Sequence, residues 1–412
     1  MRGGRPDRRR RRRRDAQEVR AGSGEGTGQD RRLRLRLSRD PAARRRLAAL
    51  GACAGVALVA GLALGGAAGD GDRAGSSPAR QGTTPASGLS LRRQVGQVIV
   101  SSFDETELPD YIRRRLRAGE TAGVILFGRN MESEAGLRRM TEAIQRASGG
   151  GALVAADQEG GLIRTVPFAG PVPGQSEQAD PGEARSLARG AARELRGLGV
   201  NLNLAPVADV VTPGGALASR SFPGSPEEVG ELVAASGRGM AEERVAATAK
   251  HFPGLGAATA NTDDAPVTIE GERAELEARD LPPFSAAIEA GTPLVMASHA
   301  LYPAYDPADI ASQSDAVLED LLRRRLRFRG VVVTDSMEAE AVLSRSGVAD
   351  SSERSIEAGA DLLLLTGSGS WNEVFPRLLE RARTTPSFRE RVAEAAGRVL
   401  ALKRRLGLRP PR

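Results

Sequence analysis

The sequence has few of the residues that commonly carry covalent or metal-dependent chemistry. Its 412 residues include one cysteine, Cys53, and two histidines, so the chain can form no internal disulfide and has no thiol nucleophile after residue 53. It also lacks an HExxH motif, a Gly-rich phosphate loop, a GxSxG motif and any Cys/His cluster with metal-ligand spacing. Metal-dependent, nucleotide-binding and serine-hydrolase functions are therefore not predicted, and no cofactor is expected.

Lysine is also scarce, because Lys250 and Lys403 are the only two and arginine replaces it elsewhere. Arginine is concentrated at the N-terminus, where residues 1–46 carry 18 arginines against 6 acidic residues. That segment contributes +12 to the formal net charge of +7, so the rest of the chain carries −5. The arginine run at positions 8–14 contains no interleaved aromatic residue, so we expect no nucleic-acid binding. We predict a disordered cytoplasmic tail that contacts anionic lipid.

An uncharged stretch, "LAALGACAGVALVAGLALGGAA", follows at residues 47–68. As a helix with a rise of ~1.5 Å per residue it is about long enough to cross a ~30 Å hydrocarbon core. Arginines at 44–46 precede it, which predicts a single-pass membrane anchor with the rest of the chain outside the cell. Because the stretch is rich in Ala and Gly, a cleaved signal peptide and a secreted protein are the alternative. "LGAC" resembles a lipoprotein box, but most of the apolar run lies after Cys53, which disfavours lipidation.

The remaining chain divides into a linker and one domain. Residues 69–88, "GDGDRAGSSPARQGTTPASG", have the composition of a flexible linker, and the folded domain is expected over residues 89–407. Within the domain, eight short apolar runs alternate with longer helical patterns, at residues 94–103, 122–128, 152–159, 200–210, 245–252, 293–300, 330–337 and 360–367. Near-continuous apolar strands are typical of a parallel sheet covered by helices. Eight β/α units predict an α/β fold of the (β/α)₈ TIM-barrel type, with a doubly wound open sheet as the alternative.

Polar residues cluster where these runs end. Barrel enzymes place their chemistry at the C-terminal ends of the strands and in the loops that follow. The polar residues at those positions are Asp157, Glu159, Asp209, Lys250, His251, His299 and Asp335. Several acids, one ammonium and two imidazoles on one rim predict a polar cleft for a hydroxyl-rich ligand.

Seven motifs in this order along residues 89–407 carry a family resemblance. They are "GVILFGRN", "DQEGG", "NLNLAPVADV", "RSFPG", "KHFPG", "VMASHALYP" and "GVVVTDSME". The set resembles the N-terminal barrel of glycoside hydrolase family 3, and within it the single-domain bacterial β-N-acetylglucosaminidases. The resemblance implies retaining hydrolysis of β-linked amino sugars such as cell-wall N-acetylglucosaminides. The alternatives are a β-glucosidase or β-xylosidase of the same family, and a non-catalytic glycan-binding envelope module.

The resemblance implies that Asp335, in "VVVTDSME", is the nucleophile. The residues themselves agree, because a carboxylate between a buried strand and a helix N-terminus is held ionised by the helix dipole and free backbone N–H groups. The structural alternative for Asp335 is a helix N-cap.

The resemblance further implies that four residues bind the sugar, namely Asp157, Arg220, Lys250 and His251. Their structural alternatives are a turn aspartate, a surface arginine and packed residues at a strand end. Arg164 is a weaker candidate, because the family commonly has a basic residue slightly further along, where this chain has Thr165. His299 is expected either to line the cleft or to pack structurally.

The family's acid/base histidine is missing from this chain. The glucosaminidase subgroup carries "KHFPGHG" and then a loop ending in Asp-Ser-His, whose Asp-His pair protonates the leaving group. Here Leu255 replaces the second histidine of the motif, and without gaps Asn261-Thr262-Asp263 occupies the Asp-Ser-His position.

Three hypotheses follow for the proton. In the first, Asp263 is the acid/base, and the like charge of Asp264 raises its pKa. In the second, another residue such as Glu159, or a second molecule, supplies the proton. In the third, the site binds sugar with little or no turnover. The structural alternative for "NTDDAP" is a solvated loop with Asx turns.

Overall fold

The domain is an eight-stranded parallel barrel. The computed structural model describes residue 86 and residues 88–409. The barrel strands are β1 (Ile99–Ser101), β2 (Gly123–Ile125), β3 (Leu153–Ala156), β6 (Leu202–Asn203), β7 (Thr248–Phe252), β8 (Leu294–Ala297), β11 (Val331–Ser336) and β12 (Leu362–Leu364). Each falls within one of the eight predicted apolar runs, which confirms the (β/α)₈ prediction.

The strand order separates a barrel from an open sheet. Each barrel strand pairs with the next barrel strand along the chain, except β6 with β7, and β12 pairs with β1. Between β6 and β7 the parallel bridges Leu202–Ala246 and Val207–Lys250 nearly close the ring. A doubly wound sheet would instead reverse its strand order at a switch point. That alternative is therefore wrong.

Helices cover the barrel. They are α1 (Leu91–Gln97), α2 (Asp110–Ala118), α3 (Glu134–Ser148), α4 (Pro181–Gly197), α5 (Pro226–Glu242), α6 (Arg273–Glu289), a π-helix (Ala316–Arg325), α7 (Glu340–Leu343), α8 (Val348–Glu357), α9 (Trp371–Thr384) and α10 (Pro386–Arg405). Short 3₁₀ turns lie at Gly128–Asn130, Gln175–Glu177 and Ala311–Gln313.

Local sequence explains where several helices begin. Ser133, Asp180 and Ser225 each accept a hydrogen bond from a backbone N–H in the first turn of α3, α4 and α5. These side chains satisfy N–H groups that have no partner within the helix. The strands between the helices are buried on both faces, with their side chains packed inside the barrel or under the helices. The core therefore fixes the strand ends from which the site is built.

Two small hairpins lie outside the barrel: β4 (Gln158–Gly160) with β5 (Ile163–Arg164), and β9 (Leu301–Tyr302) with β10 (Asp306–Ile310). Both follow the C-terminal end of a barrel strand. The predicted tail at 1–46, the predicted anchor at 47–68 and, apart from residues 86 and 88, the predicted linker at 69–88 lie outside the described residues. In the described part of the chain, no helix has the length and apolar character to span a bilayer.

Candidate active site

A cleft of 340 Å³ opens at the C-terminal end of the barrel. It is lined by all six predicted site residues, namely Asp157, Arg220, Lys250, His251, Asp263 and Asp335. A groove of 420 Å³ lies at the opposite end of the barrel, between the π-helix–β11 loop and α10. Among the described residues that line this second groove there is no carboxylate and no imidazole. The carboxylates and the imidazole predicted for the site therefore lie together in the first cleft.

One side of the cleft is a network of four charged side chains, of which Lys250 and Glu159 are buried and Asp157 and Arg220 are partly exposed. Lys250, on β7, places its Nζ 2.7 Å from Asp157 Oδ1 and 2.7 Å from Glu159 Oε1. Arg220 donates from Nε and Nη2 to the two Glu159 oxygens, at 3.0 and 2.7 Å. Lys250 is 2 % exposed, and burial alone would lower its pKa, but Asp157 and Glu159 raise it overall. The ammonium is thus held charged and in place at the wall of the cleft.

Glu159 is the counter-ion of this network. It is 3 % exposed, and although burial acts to raise its pKa, Lys250 and Arg220 lower it to about 2. A group with that pKa is ionised throughout the neutral range and holds no proton to give. Both of its oxygens face the two cations, which argues against the hypothesis that Glu159 is the proton donor.

His251 is oriented by Asp209, for which the sequence predicted no role beyond its position on the rim. The Asp209 carboxylate accepts from His251 Nδ1 at 2.7 Å and from the backbone N–H groups of His251 and Leu255 at 3.1 and 2.6 Å. The other ring nitrogen, Nε2, lies 3.9 Å from Asp335 Oδ2. Asp209 is fully buried and binds Nδ1, so the other ring nitrogen, Nε2, is the one directed at the cleft. Leu255 is 1 % exposed and packs in the apolar core.

Asp335 lies near the end of β11 with its carboxylate at the cleft. Oδ1 accepts from the backbone N–H of Ser336 at 2.8 Å. Burial acts to raise its pKa, but the surroundings lower it overall. Those surroundings are, in order of effect, His251, His299, Lys250 and the Ser336 N–H. The carboxylate is thus stabilised in its ionised form.

The predicted cause of that ionisation is partly wrong. The helix after β11 is α7, a single turn that begins only at Glu340, and its N-cap position is Ala339. Neither a helix dipole acting on Asp335 nor an N-cap role for it fits this arrangement. Two imidazole side chains, the Lys250 ammonium and one backbone N–H stabilise the charge in place of the helix.

Asp263 faces Asp335 from a loop rather than from a strand. The residue is exposed overall, yet its pKa is raised, first by partial desolvation and then by the negative charge of Asp335. The direction is the one expected, but the predicted cause is wrong, because Asp264 is exposed and contributes no resolved effect. Asn261 Nδ2 donates to Asp263 Oδ2 at 3.1 Å.

Other candidates lie behind or beside the cleft. His299 is fully buried, burial lowers its pKa, and Nδ1 lies 2.7 Å from Ser312 Oγ. Thr165 lines the cleft, whereas Arg164 bonds the carbonyl of Pro167 at 3.3 Å and is not among the lining residues. The lining residues that the sequence did not single out are Ile125, Phe127, Ile163, Asn261, Met296, Ser336, Leu364 and Thr366. Several directly follow or end a barrel strand, which was the available signal for them.

An ionised carboxylate and a second carboxylate of raised pKa, beside a fixed array of charged side chains, define a class of site. Such a pair is typical of glycosidases, in which one carboxylate remains charged while the other donates a proton. Comparison with known proteins agrees with this class. The family model described as the glycosyl hydrolase family 3 N terminal domain matches residues 90–402. The chain belongs to glycosyl hydrolase family 3.

Individual relatives give more detail. A β-hexosaminidase of Xanthomonas oryzae pv. oryzae is 35% identical over 270 residues, which cover 63% of this chain and 80% of that protein. An uncharacterized secreted glycosyl hydrolase of Arthroderma benhamiae is 32% identical over 344 residues, covering 78% and 96% of the two chains. The structure of a family 3 β-N-acetylglucosaminidase from Paenibacillus sp. superposes with a TM-score of 0.74 at 34% identity. That match covers 77% of this chain and 63% of the Paenibacillus protein.

Proposed function

We propose that this protein hydrolyses terminal β-linked N-acetylhexosaminides, of the kind found in bacterial cell walls, with retention of configuration. The observation that carries the proposal is the cleft in which Asp335, held ionised, faces Asp263, whose pKa is raised. The relatives named above, a β-hexosaminidase and a β-N-acetylglucosaminidase, favour an amino sugar over the glucose or xylose of the alternative enzymes.

In the first step Asp335 acts as the nucleophile. One of its carboxylate oxygens attacks C1 of the sugar, and the bond from C1 to the leaving oxygen breaks. Asp263 gives its proton to that oxygen as the bond breaks, so the aglycone leaves as a neutral alcohol. The product is a glycosyl ester on Asp335, with Asp263 now ionised.

In the second step the roles of Asp263 reverse. Its carboxylate takes a proton from a water molecule while the water oxygen attacks C1, and the bond from C1 to Asp335 breaks. The sugar leaves with the configuration it had, and Asp263 is protonated again. The lowered pKa of Asp335 makes its carboxylate a good leaving group in the second step. The raised pKa of Asp263 favours the protonated form that the first step requires at neutral pH.

The charged wall of the cleft holds the sugar. Lys250 and Arg220 present donors for ring hydroxyls, Asp157 accepts from them, and His251 Nε2 faces the same space as Asp335. Glu159 binds no sugar in this scheme; it keeps the two cations fixed, so little ordering is needed when substrate arrives.

The sugar preference is tested by comparing chromogenic substrates. We expect turnover of a nitrophenyl β-N-acetylglucosaminide at least ~100-fold above that of the matching β-glucoside, because contacts missed by an analogue leave buried polar groups unpaired. Equal turnover of the two, or faster glucoside hydrolysis, would contradict the proposed substrate.

The role of Asp263 is tested with leaving groups. Protonation matters most for a poor leaving group, so Asp263→Ala should lower oligosaccharide hydrolysis by roughly 10²–10⁴-fold and affect the first step on a dinitrophenyl glycoside far less. The glycosyl-enzyme should then accumulate, and azide, which needs no base, should restore turnover of the activated substrate. If good and poor leaving groups suffer alike and azide has no effect, Asp263 is not the acid/base, and either another group supplies the proton or the barrel only binds sugar.

We further propose that the domain works outside the cell, tethered by residues 47–68 or released after their cleavage. The uncharged stretch behind an arginine block supports export, as does the similarity to a secreted glycosyl hydrolase. External protease applied to intact cells should cut within residues 69–88 and release an active domain if the anchor is retained. Active enzyme in the medium before protease is added would indicate cleavage, and protection until lysis would contradict export.

A further inference from the structure

The side chain of Asp263 is held by one neighbour in its own loop. Asn261 Nδ2 donates to Asp263 Oδ2 at 3.1 Å, and the backbone N–H of Asp263 donates back to Asn261 Oδ1 at 3.3 Å. Two hydrogen bonds between the same two residues restrict the direction in which the exposed carboxylate points. A solvated Asx turn needs only the second of these bonds; the first acts on the carboxylate itself.

The backbone of the same loop is attached to the segment that follows the nucleophile. The N–H of Glu340 donates to the carbonyl of Asp263 at 3.1 Å, and the N–H of Ala341 donates to the carbonyl of Thr262 at 3.1 Å. Thr262 is fully buried, so the loop is also anchored by packing. These bonds fix the backbone of the loop relative to the segment that follows β11. They leave the direction of the Asp263 side chain to be set by another contact.

We propose that Asn261 is a positioning residue that aims the Asp263 carboxylate at the leaving-group oxygen. The inference rests on the proposed function, because it assumes that Asp263 transfers the proton. Asn261 stands where the family has the aspartate of its Asp-His pair, so what is particular to this chain is that an amide donates to a carboxylate acid/base.

Charge explains why an amide is suited to this position. The groups that face Asp263 are Asp335 from β11, His251 from β7 and His299 after β8, besides Asn261 itself. Desolvation and Asp335 raise the Asp263 pKa, and the Asn261 hydrogen bond is the largest effect that lowers it. A donor to the carboxylate favours its ionised form. An aspartate at position 261 would instead add a second like charge and raise the pKa further.

The test is the pH dependence of kcat/KM for Asn261→Ala and Asn261→Asp. In a retaining enzyme the basic limb follows the acid/base, because that group must be protonated to act. Loss of one hydrogen bond should move the basic limb upward by roughly half to one pH unit, and Asn261→Asp should move it further.

At the wild-type optimum, Asn261→Ala should lower kcat/KM roughly tenfold for an N-acetylglucosamine disaccharide, and less than about twofold for the dinitrophenyl glycoside. Asp264→Ala is the matched control, since it removes an exposed neighbour, and its profile should match the wild type.

The outcomes separate this inference from the proposed function. One outcome is that Asp263→Ala shows the leaving-group dependence described above while both Asn261 variants keep the wild-type basic limb of the kcat/KM profile and the wild-type ratio between the two substrates. In that case Asn261 has no positioning role and the proposed function stands. If Asp263→Ala lacks that dependence, the proposed function fails and the inference fails with it. Equal loss on both substrates in Asn261→Ala, with a lowered melting temperature and an unmoved limb, would mean a structural role only and would also overturn the inference.

Discussion

The two carboxylates of the cleft are held in place by different means. Asp335 lies on a barrel strand, and three cationic or imidazole side chains and a backbone N–H surround it. Asp263 lies on an exposed loop, with one side-chain partner and the negative charge of Asp335 opposite. The strand end provides a fixed, stabilised negative charge, whereas the loop provides a carboxyl group that favours its protonated form. One barrel thus produces two opposite pKa shifts by placing identical groups on different elements.

The largest expected effect concerns the strand-borne carboxylate. Asp335→Asn keeps the shape of the side chain but removes the charge that attacks C1. We expect kcat to fall by at least ~10³-fold for both activated and natural substrates, while a sugar product still binds. Steady-state kinetics and calorimetric titration measure the two properties. Turnover within tenfold of the wild type would mean that another group carries the covalent chemistry.

A smaller effect is expected from the network beside it. Glu159→Gln removes the counter-ion that Lys250 and Arg220 share, so Arg220 should lose its fixed position while Lys250 keeps only Asp157. We expect kcat/KM to fall roughly 10–100-fold, equally for good and poor leaving groups, with an unchanged basic limb and no azide rescue. A leaving-group dependence in this variant like that of Asp263→Ala would restore Glu159 as a proton donor.

The smallest effect tests what a buried charge does without such a network. Lys403, the second lysine, is 2 % exposed at the opposite end of the barrel, where its Nζ contacts Gln97 Oε1 at 2.7 Å. Burial lowers its pKa to about 7, whereas the carboxylates beside Lys250 raise the pKa of that residue. The folded pKa lies below the unfolded value of about 10.4, so the unfolded state binds more protons between these values. This lysine therefore makes folding less favourable below pH 7, and the penalty fades as the pH rises towards 10.

Lys403→Met should remove that penalty. We expect a melting temperature roughly 2–5 °C above the wild type at pH 6, with the gain shrinking by pH 9.5. Scanning calorimetry at the two pH values checks this, and Lys403→Arg, which cannot lose its charge, serves as the control and should show no gain. An equal gain at both pH values would indicate a packing effect instead of removal of a buried ammonium.

The same contrast between strand and loop explains what the sequence could predict. Apolar runs are readable along the chain, and strand ends meet at one face of a barrel, so the amino-acid sequence alone could place Asp157, Lys250, His251 and Asp335 together. The surroundings of Asp263 could not be predicted, because its interaction with Asp335 depends on how a loop lies across the barrel mouth. The bidentate bond of Arg220 to Glu159 could not be predicted for the same reason, since Arg220 lies in a loop and Glu159 in a separate hairpin outside the barrel.

The central claim is that Asp335 forms a covalent bond to the sugar, while Asp263 donates a proton in the first step and accepts one in the second. It is tested most directly by mass spectrometry of the protein after treatment with a 5-fluoro N-acetylglucosaminyl fluoride, whose ring fluorine slows both steps while the good leaving group permits the first. The account predicts a single added sugar on the peptide that contains Asp335. It predicts no adduct in Asp335→Asn, and an adduct that still forms but is released more slowly in Asp263→Ala. An adduct on a different residue, or none in the wild type while the compound is still hydrolysed, would contradict the account.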